Sequence, residues 1–129
     1  WDKHPQIKCM RDPTRGGVAA VLNELALEAS VNMEIDEDQL PIDKSVASAC
    51  ELMGLDPLLL ANEGKFLLFC PQEIAEDVLA TMKEHELGRE AKIIGRVQQS
   101  ESPIVKLKTT LGGSRLVPWH NFDQMPRIC

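Results

Sequence analysis

The residue pattern of this 129-residue chain predicts an α+β domain, with a mixed β-sheet packed with about three helices and a flexible C-terminal tail. Three observations carry that expectation. Helical periodicity recurs in three separate segments, strand-like stretches fall between them, and the last third reads as strands around a glycine turn. At this length one hydrophobic core is the expected organisation, with residues 1–118 as the domain and 119–129 as the tail.

The first helical segment is GGVAAVLNELALEAS, in which Val18, Val21, Leu22, Leu25 and Ala29 recur at helical spacing. Thr14 or Asp12 can cap its start. VNMEID then alternates Val31, Met33 and Ile35 with polar residues, the period of a half-buried strand. Asp43 caps a second helix, KSVASACELM, with Val46, Ala49, Cys50 and Met53 on one face and Gly54 as its stop. KFLLFC is nearly continuous in apolar residues, which reads as a central strand buried on both sides. QEIAEDVLATMKEHE forms a third helix with Ile74, Val78 and Met82 inward and Leu87-Gly88 at its end. Three strands follow, AKIIGRV, IVKLKTT and SRLVPW, the last two flanking the turn LGG.

Composition narrows the function. Twenty acidic residues against fourteen basic ones leave a net charge of −6, and no basic block is present. Nucleic acid and anionic membranes both require clustered Lys and Arg, so neither is an expected partner. No apolar run has the length of a membrane span and no leader pattern opens the chain, so the expected location is the cytosol. WDKHPQIKC starts abruptly and without methionine, as a piece of a longer chain would.

Of the four cysteines, Cys9, Cys50, Cys70 and Cys129, none lies in a CxxC or CxH pair, and no zinc or disulfide framework is suggested. Cys50 and Cys70 sit in apolar stretches and read as small hydrophobes. The three histidines are scattered, with no nucleophile paired to them; His85 reads as a cation at a helix end.

Three stretches could carry chemistry. In MRDPTRGG, Asp12-Pro13 sets a turn, Thr14 and Arg15 present polar groups, and Gly16-Gly17 admit a close backbone approach before a helix. That is either an anion site at a helix N-terminus or a glycine turn with a cap. In ANEGKF, Glu63 stands between Asn62 and Gly64, and is either a proton-handling carboxylate or a solvated loop residue. The tail VPWHNFDQMPRIC ends on Cys129. A thiol on a tail suggests a covalent carrier, although a chain can also simply finish on cysteine.

Taken together, MRDPTRGGVAAVLNELA, LLLANEGKFLLF and the terminal PRIC resemble the C-terminal half of the hydrogenase maturation family HypE. That family belongs with the aminoimidazole ribonucleotide and selenophosphate synthetases. The resemblance implies a fold like the C-terminal domain of those synthetases. It also implies an ATP-dependent carbamoyl dehydratase that turns a carbamoyl group on the terminal thiol into thiocyanate, the source of the cyanide ligands of [NiFe]-hydrogenase. It makes Cys129 the acceptor and Glu63 a proton-handling residue. Asp12, Thr14, Arg15, Gly16, Gly17 and Asn62 become contacts to nucleotide and arm, and Arg127 an anchor for the arm. The implied cofactors are ATP and Mg2+, held mostly by an N-terminal domain that is absent here. The implied partners are HypF, the HypC–HypD complex and, through the absent domain, a second copy. Two other functions stay open: a docking module for maturation partners without catalysis, and a fragment of another synthetase of the superfamily.

Overall fold

A computed structural model describes residues 4–119. In chain order its elements are β1 (Cys9–Arg11), α1 (Gly17–Ala29), β2 (Val31–Asp36), α2 (Lys44–Met53), β3 (Leu67–Phe69), α3 (Ala75–Glu84), β4 (Gly95–Gln99), β5 (Val105–Lys108) and β6 (Ser114–Leu116). The four-stranded sheet has the order β4-β2-β5-β6, with β2 and β5 parallel and the other neighbours antiparallel. A separate antiparallel pair joins β1 to β3. The α+β class with a mixed sheet and three helices is therefore the observed one.

The core lies between α1 and one face of the larger sheet. Alternation on β2 turns Val31, Met33 and Ile35 inward, and β5 adds Val105 and Leu107 on the same side. Ala19, Leu22 and Ala26 of α1 meet them, with Leu58 and Val117 closing the cluster. Ala29 belongs outside: it is exposed, and the buried positions of α1 are Gly17, Ala19, Ala20, Val21, Leu22 and Ala26. The hairpin around LGG forms as its glycines suggest, with Lys108 opposite Ser114 and Gly112 at a φ of 88°.

Several expectations need correction. Neither Thr14 nor Asp12 caps α1; its cap is Gly16 in the left-handed region, and no side chain bonds to the first turn. Thr14 instead donates to Asp12 Oδ2 at 2.9 Å, because the two side chains face each other across Pro13. KFLLFC is not a central strand: only Leu67–Phe69 are extended, half-buried, and paired solely with the three residues of β1 among the described residues. The apolar run announced burial, but its hydrogen-bonding partner comes from a segment whose sequence does not alternate. The last long strand begins at Gly95 rather than Ala91. His85 does stand at the C-terminal end of α3, and its Nδ1 accepts the Leu87 N–H at 3.2 Å.

The second helix has the expected ends. Asp43 accepts from the Ser45 N–H at 2.8 Å, and Gly54 closes the helix in the left-handed region. Its expected inner face is mostly outside, however: Cys50 is buried, while Val46 is 43% and Met53 60% exposed. Periodicity gives a helix its stripe, whereas cover depends on neighbours, and α2 packs chiefly on the 3-10 turn Pro57–Leu59.

That turn positions the rest. Asp56 holds it with both carboxylate oxygens, Oδ1 accepting from the Leu58 N–H at 3.0 Å and Oδ2 from Arg115 of β6 at 2.7 Å. Leu58 enters the core, and the carbonyls of Leu58 and Leu60 lie directly against Gly17. Gly17 sits at a φ of 65°, and a Cβ there would run into both oxygens.

Two expected outcomes follow from these contacts. Gly17→Ala combines left-handed strain with overpacking against backbone, and should destabilise the domain by about 2–5 kcal/mol in urea unfolding; an unchanged midpoint would refute the close approach. The Ser45 hydroxyl and, next, the Ser45 N–H hold the Asp43 carboxyl below the usual carboxylate range. A lowered folded value means the cap stabilises α2 above the unfolded carboxylate pKa and is lost as pH falls through the folded one. Asp43→Ala should therefore lower Tm at pH 7, with the gap to wild type closing toward pH 2; a gap independent of pH would count against the ionised cap.

Candidate functional site

The two motif loops meet. Residues 12–16 connect β1 to α1, and residues 60–66 run from the Pro57–Leu59 turn to β3. Because β1 and β3 pair, both loops leave the same two-stranded unit. The Asn62 N–H donates to the Pro13 carbonyl at 3.0 Å, joining the loops directly, and Pro13 is among the most deeply buried residues. Asp12, Thr14, Arg15, Gly16 and Gly17 thus stand beside Asn62 and Glu63, from segments some 45 residues apart in the chain.

Each residue has a distinct local role. Arg15 and Glu63 are exposed, their charged ends free to face a ligand. Asp12 is exposed, and its carboxyl is held below the usual range by the Thr14 hydroxyl first, then its own backbone N–H, with desolvation opposing and the Arg11 charge adding to the lowering. Arg11 reaches back to Glu24 Oε2 at 3.0 Å, tying β1 to α1. Asn62 has its side chain occupied: Nδ2 donates to the Leu60 carbonyl at 2.8 Å and Oδ1 accepts from Lys65 at 3.2 Å. These bonds shape the loop that carries Glu63 and leave the amide one further hydrogen and one lone pair. Gly64, at a φ of 70°, gives that loop its sharp turn.

The first turn of α1 carries no side-chain cap and no acidic residue. Its amides therefore leave the positive end of the helix dipole uncompensated beside Arg15, an arrangement that suits the phosphates of a nucleotide. Among the described residues, no group of three or more His, Cys, Asp or Glu side chains is arranged to hold a metal ion. The Cys70 thiol is pushed up by burial, and Cys50 is a core residue. His4 is buried and shares a hydrogen bond with Thr81 of α3 at 2.9 Å, a packing role. Cys129 and Arg127 lie outside the described residues.

A depression of about 160 Å³ lies elsewhere, on the open face of the larger sheet between Asn32, Glu34, Arg96, Gln98 and Lys106. None of the motif residues lines it. The motif loops form a surface apart from it, joined by the Asn62–Pro13 bond. Sequence reading missed the connections that assemble this surface: Arg11 to Glu24, and Asn62 to Pro13 and Lys65. The NE pair at positions 23 and 24 was the available signal, since an Asn inside a helix is disfavoured without a specific bond. No helix among the described residues is long and apolar enough to cross a membrane.

The chain is similar to known proteins along nearly all of its length. The chain is 50% identical over 125 residues to the carbamoyl dehydratase HypE of Azotobacter vinelandii, which covers 97% of this chain and 37% of that protein. A crystal structure of a HypE–HypF complex superposes with a TM-score of 0.82 at 49% identity, covering 88% of this chain and 36% of the other. A crystal structure of HypE in complex with ATP gives a TM-score of 0.87 at 41% identity, covering 96% of this chain and 38% of the other. The chain thus spans a little over a third of the length of these relatives. Residues 2–108 match the family described as AIR synthase related protein, C-terminal domain, and with that match over most of its length the chain belongs to that family.

Proposed function

We propose that this domain supplies the acceptor arm and part of the reaction surface of an ATP-dependent carbamoyl dehydratase in hydrogenase maturation. The observation that carries the reading is the junction of the two loops. An uncapped, glycine-led helix start beside Arg15 is bonded through Asn62 to the loop that bears Glu63. Identity to carbamoyl dehydratases and likeness to an ATP-bound HypE support it.

In this reading Cys129 carries a carbamoyl group received from HypF. The net reaction converts the S-carbamoyl group and ATP to S–C≡N, ADP and phosphate. ATP, when bound, activates the amide oxygen as a leaving group by phosphorylation. The α1 amides and Arg15 hold and neutralise phosphate charge, and Glu63 accepts a proton from the thiocarboxamide nitrogen as the C≡N bond forms. Thr14 and Asp12 stiffen the loop through their mutual hydrogen bond. Residues 119–129 form the arm, with Arg127 anchoring it by charge. Cyanide then passes to iron held by HypC–HypD, as a ligand of the [NiFe] centre, in the cytoplasm. Most ATP contacts, the accompanying Mg2+ and the contacts between two copies fall to the remaining length seen in relatives. This chain alone does not dehydrate.

The test is intact mass after incubation with HypF, carbamoyl phosphate and ATP. Wild type is expected to gain one carbamoyl group and Cys129→Ala none. Subsequent loss of water from the adduct on this chain alone would overturn the claim that a further catalytic part is needed. Absence of any adduct, on this chain and on a full-length polypeptide carrying it, would remove the carrier role of Cys129.

A further inference from the structure

The open face of the four-stranded sheet gathers charge in a fixed order. Alternation on β2 places Asn32 and Glu34 there, because Val31, Met33 and Ile35 turn inward. The register then sets Glu34 directly between Arg96 of β4 and Lys106 of β5, and Asn32 beside Gln98. Arg96 and Lys106 are therefore two strand spacings apart, roughly 10 Å. Glu34, Arg96, Gln98 and Lys106 are all exposed.

Opposite charges on neighbouring strands gain by pairing. Arg11 pairs with Glu24 and Arg115 with Asp56, yet among the described residues Glu34 bonds to neither of its two cations. The three side chains stand instead around the depression of about 160 Å³, which Asn32, Gln98 and Ile104 also line. Asn32 is oriented within it. Its Oδ1 accepts the Ile104 N–H at 3.0 Å, and its Nδ2 hydrogens bond to no described residue. The Gln98 amide makes no bond to a described residue either.

This set of groups is selective. A carboxylate seated between Arg96 and Lys106 meets both, and the planar guanidinium fork matches its two oxygens. The same carboxylate lies over Glu34, and like charges that close repel. A donor a few bonds from the ligand's carboxylate relieves the repulsion, because Glu34 can accept from it. At about 30 Å³ per water-sized group, the volume holds about five such groups. We propose that this depression binds a small acid with an N–H donor beside its carboxylate, the pattern of an α-amino acid. The site lies apart from the motif loops and does not depend on the reaction assigned to them.

The test uses the full-length polypeptide that joins this domain to the remaining length of its relatives, with isotope-labelled isoleucine δ1 methyls read by NMR. Ile104 lines the depression, so its methyl reports occupancy, and Ile104→Leu identifies its signal. Glycine is the probe, with acetate and inorganic phosphate compared at matched ionic strength. Glycine should shift the Ile104 methyl saturably in the millimolar range and bind more tightly than acetate. Arg96→Met and Lys106→Met should each weaken glycine by roughly fivefold or more, and either serves should the other not fold. Glu34→Gln should weaken glycine yet tighten acetate, since glycine loses an acceptor for its ammonium while acetate loses a repelling charge. N-acetyl-aspartamide presents the same pattern as a side chain does. Tighter binding of it than of glycine identifies the source as an acidic side chain of a partner protein, and the reverse as a free acid. The proposal is overturned by the absence of a saturable Ile104 shift up to about 100 mM glycine. Phosphate binding more tightly than glycine would overturn it too, as would a Glu34→Gln effect of the same sign on glycine and acetate.

Discussion

The arrangement depends on one close approach, that of the Gly17 backbone to the carbonyls of Leu58 and Leu60. Only a residue without Cβ fits there, and only glycine holds the left-handed conformation at little cost. Because the segment around Leu58 can lie flat on the start of α1, the Asn62 N–H comes within reach of Pro13, and the two loops become one surface. The same segment is held from the far side by Asp56, whose carboxylate serves Leu58 and Arg115. An ion pair of that exposure adds little stability by itself. Its effect is geometric: it joins β6 to the turn that touches α1.

Helix α1 is consequently more than a core element. Its buried side packs on the sheet through Ala19, Leu22 and Ala26. Its N-terminal end has no side-chain cap and stands beside the motif loops. Its flank carries Glu24 toward β1 and Asn23 toward Val117. The motif loop, β1 and the residue after β6 are all referred to one rigid helix.

Much of this was legible in residue order. β2 was readable because one face is buried and the other wet, so the two-residue period survives in the sequence. The ends of α2 were readable because Asp43 and Gly54 act on their own neighbours. The LGG hairpin was readable for the same reason. β1 and β3 were harder, since three half-buried residues leave no period, and their pairing links segments far apart in the chain. The cap of α1 was misassigned because Asp12 and Thr14 satisfy each other. Two good capping residues side by side look, in sequence, like two candidates for one role.

By itself the sequence determined the α+β class, the three helices, the inward set on β2 and the motifs that mark the site, because these follow from local propensity and short-range period. Only the tertiary structure decided that MRDPTRGG and ANEGKF are joined by a backbone bond, that the Asn62 side chain reaches Leu60 and Lys65, and that Asn23 reaches Val117 across 94 positions of chain. Those facts depend on backbone hydrogen bonds and close approaches between distant segments. A backbone N–H and carbonyl are the same in every residue that has them, so residue order carries no mark of which distant pair will meet.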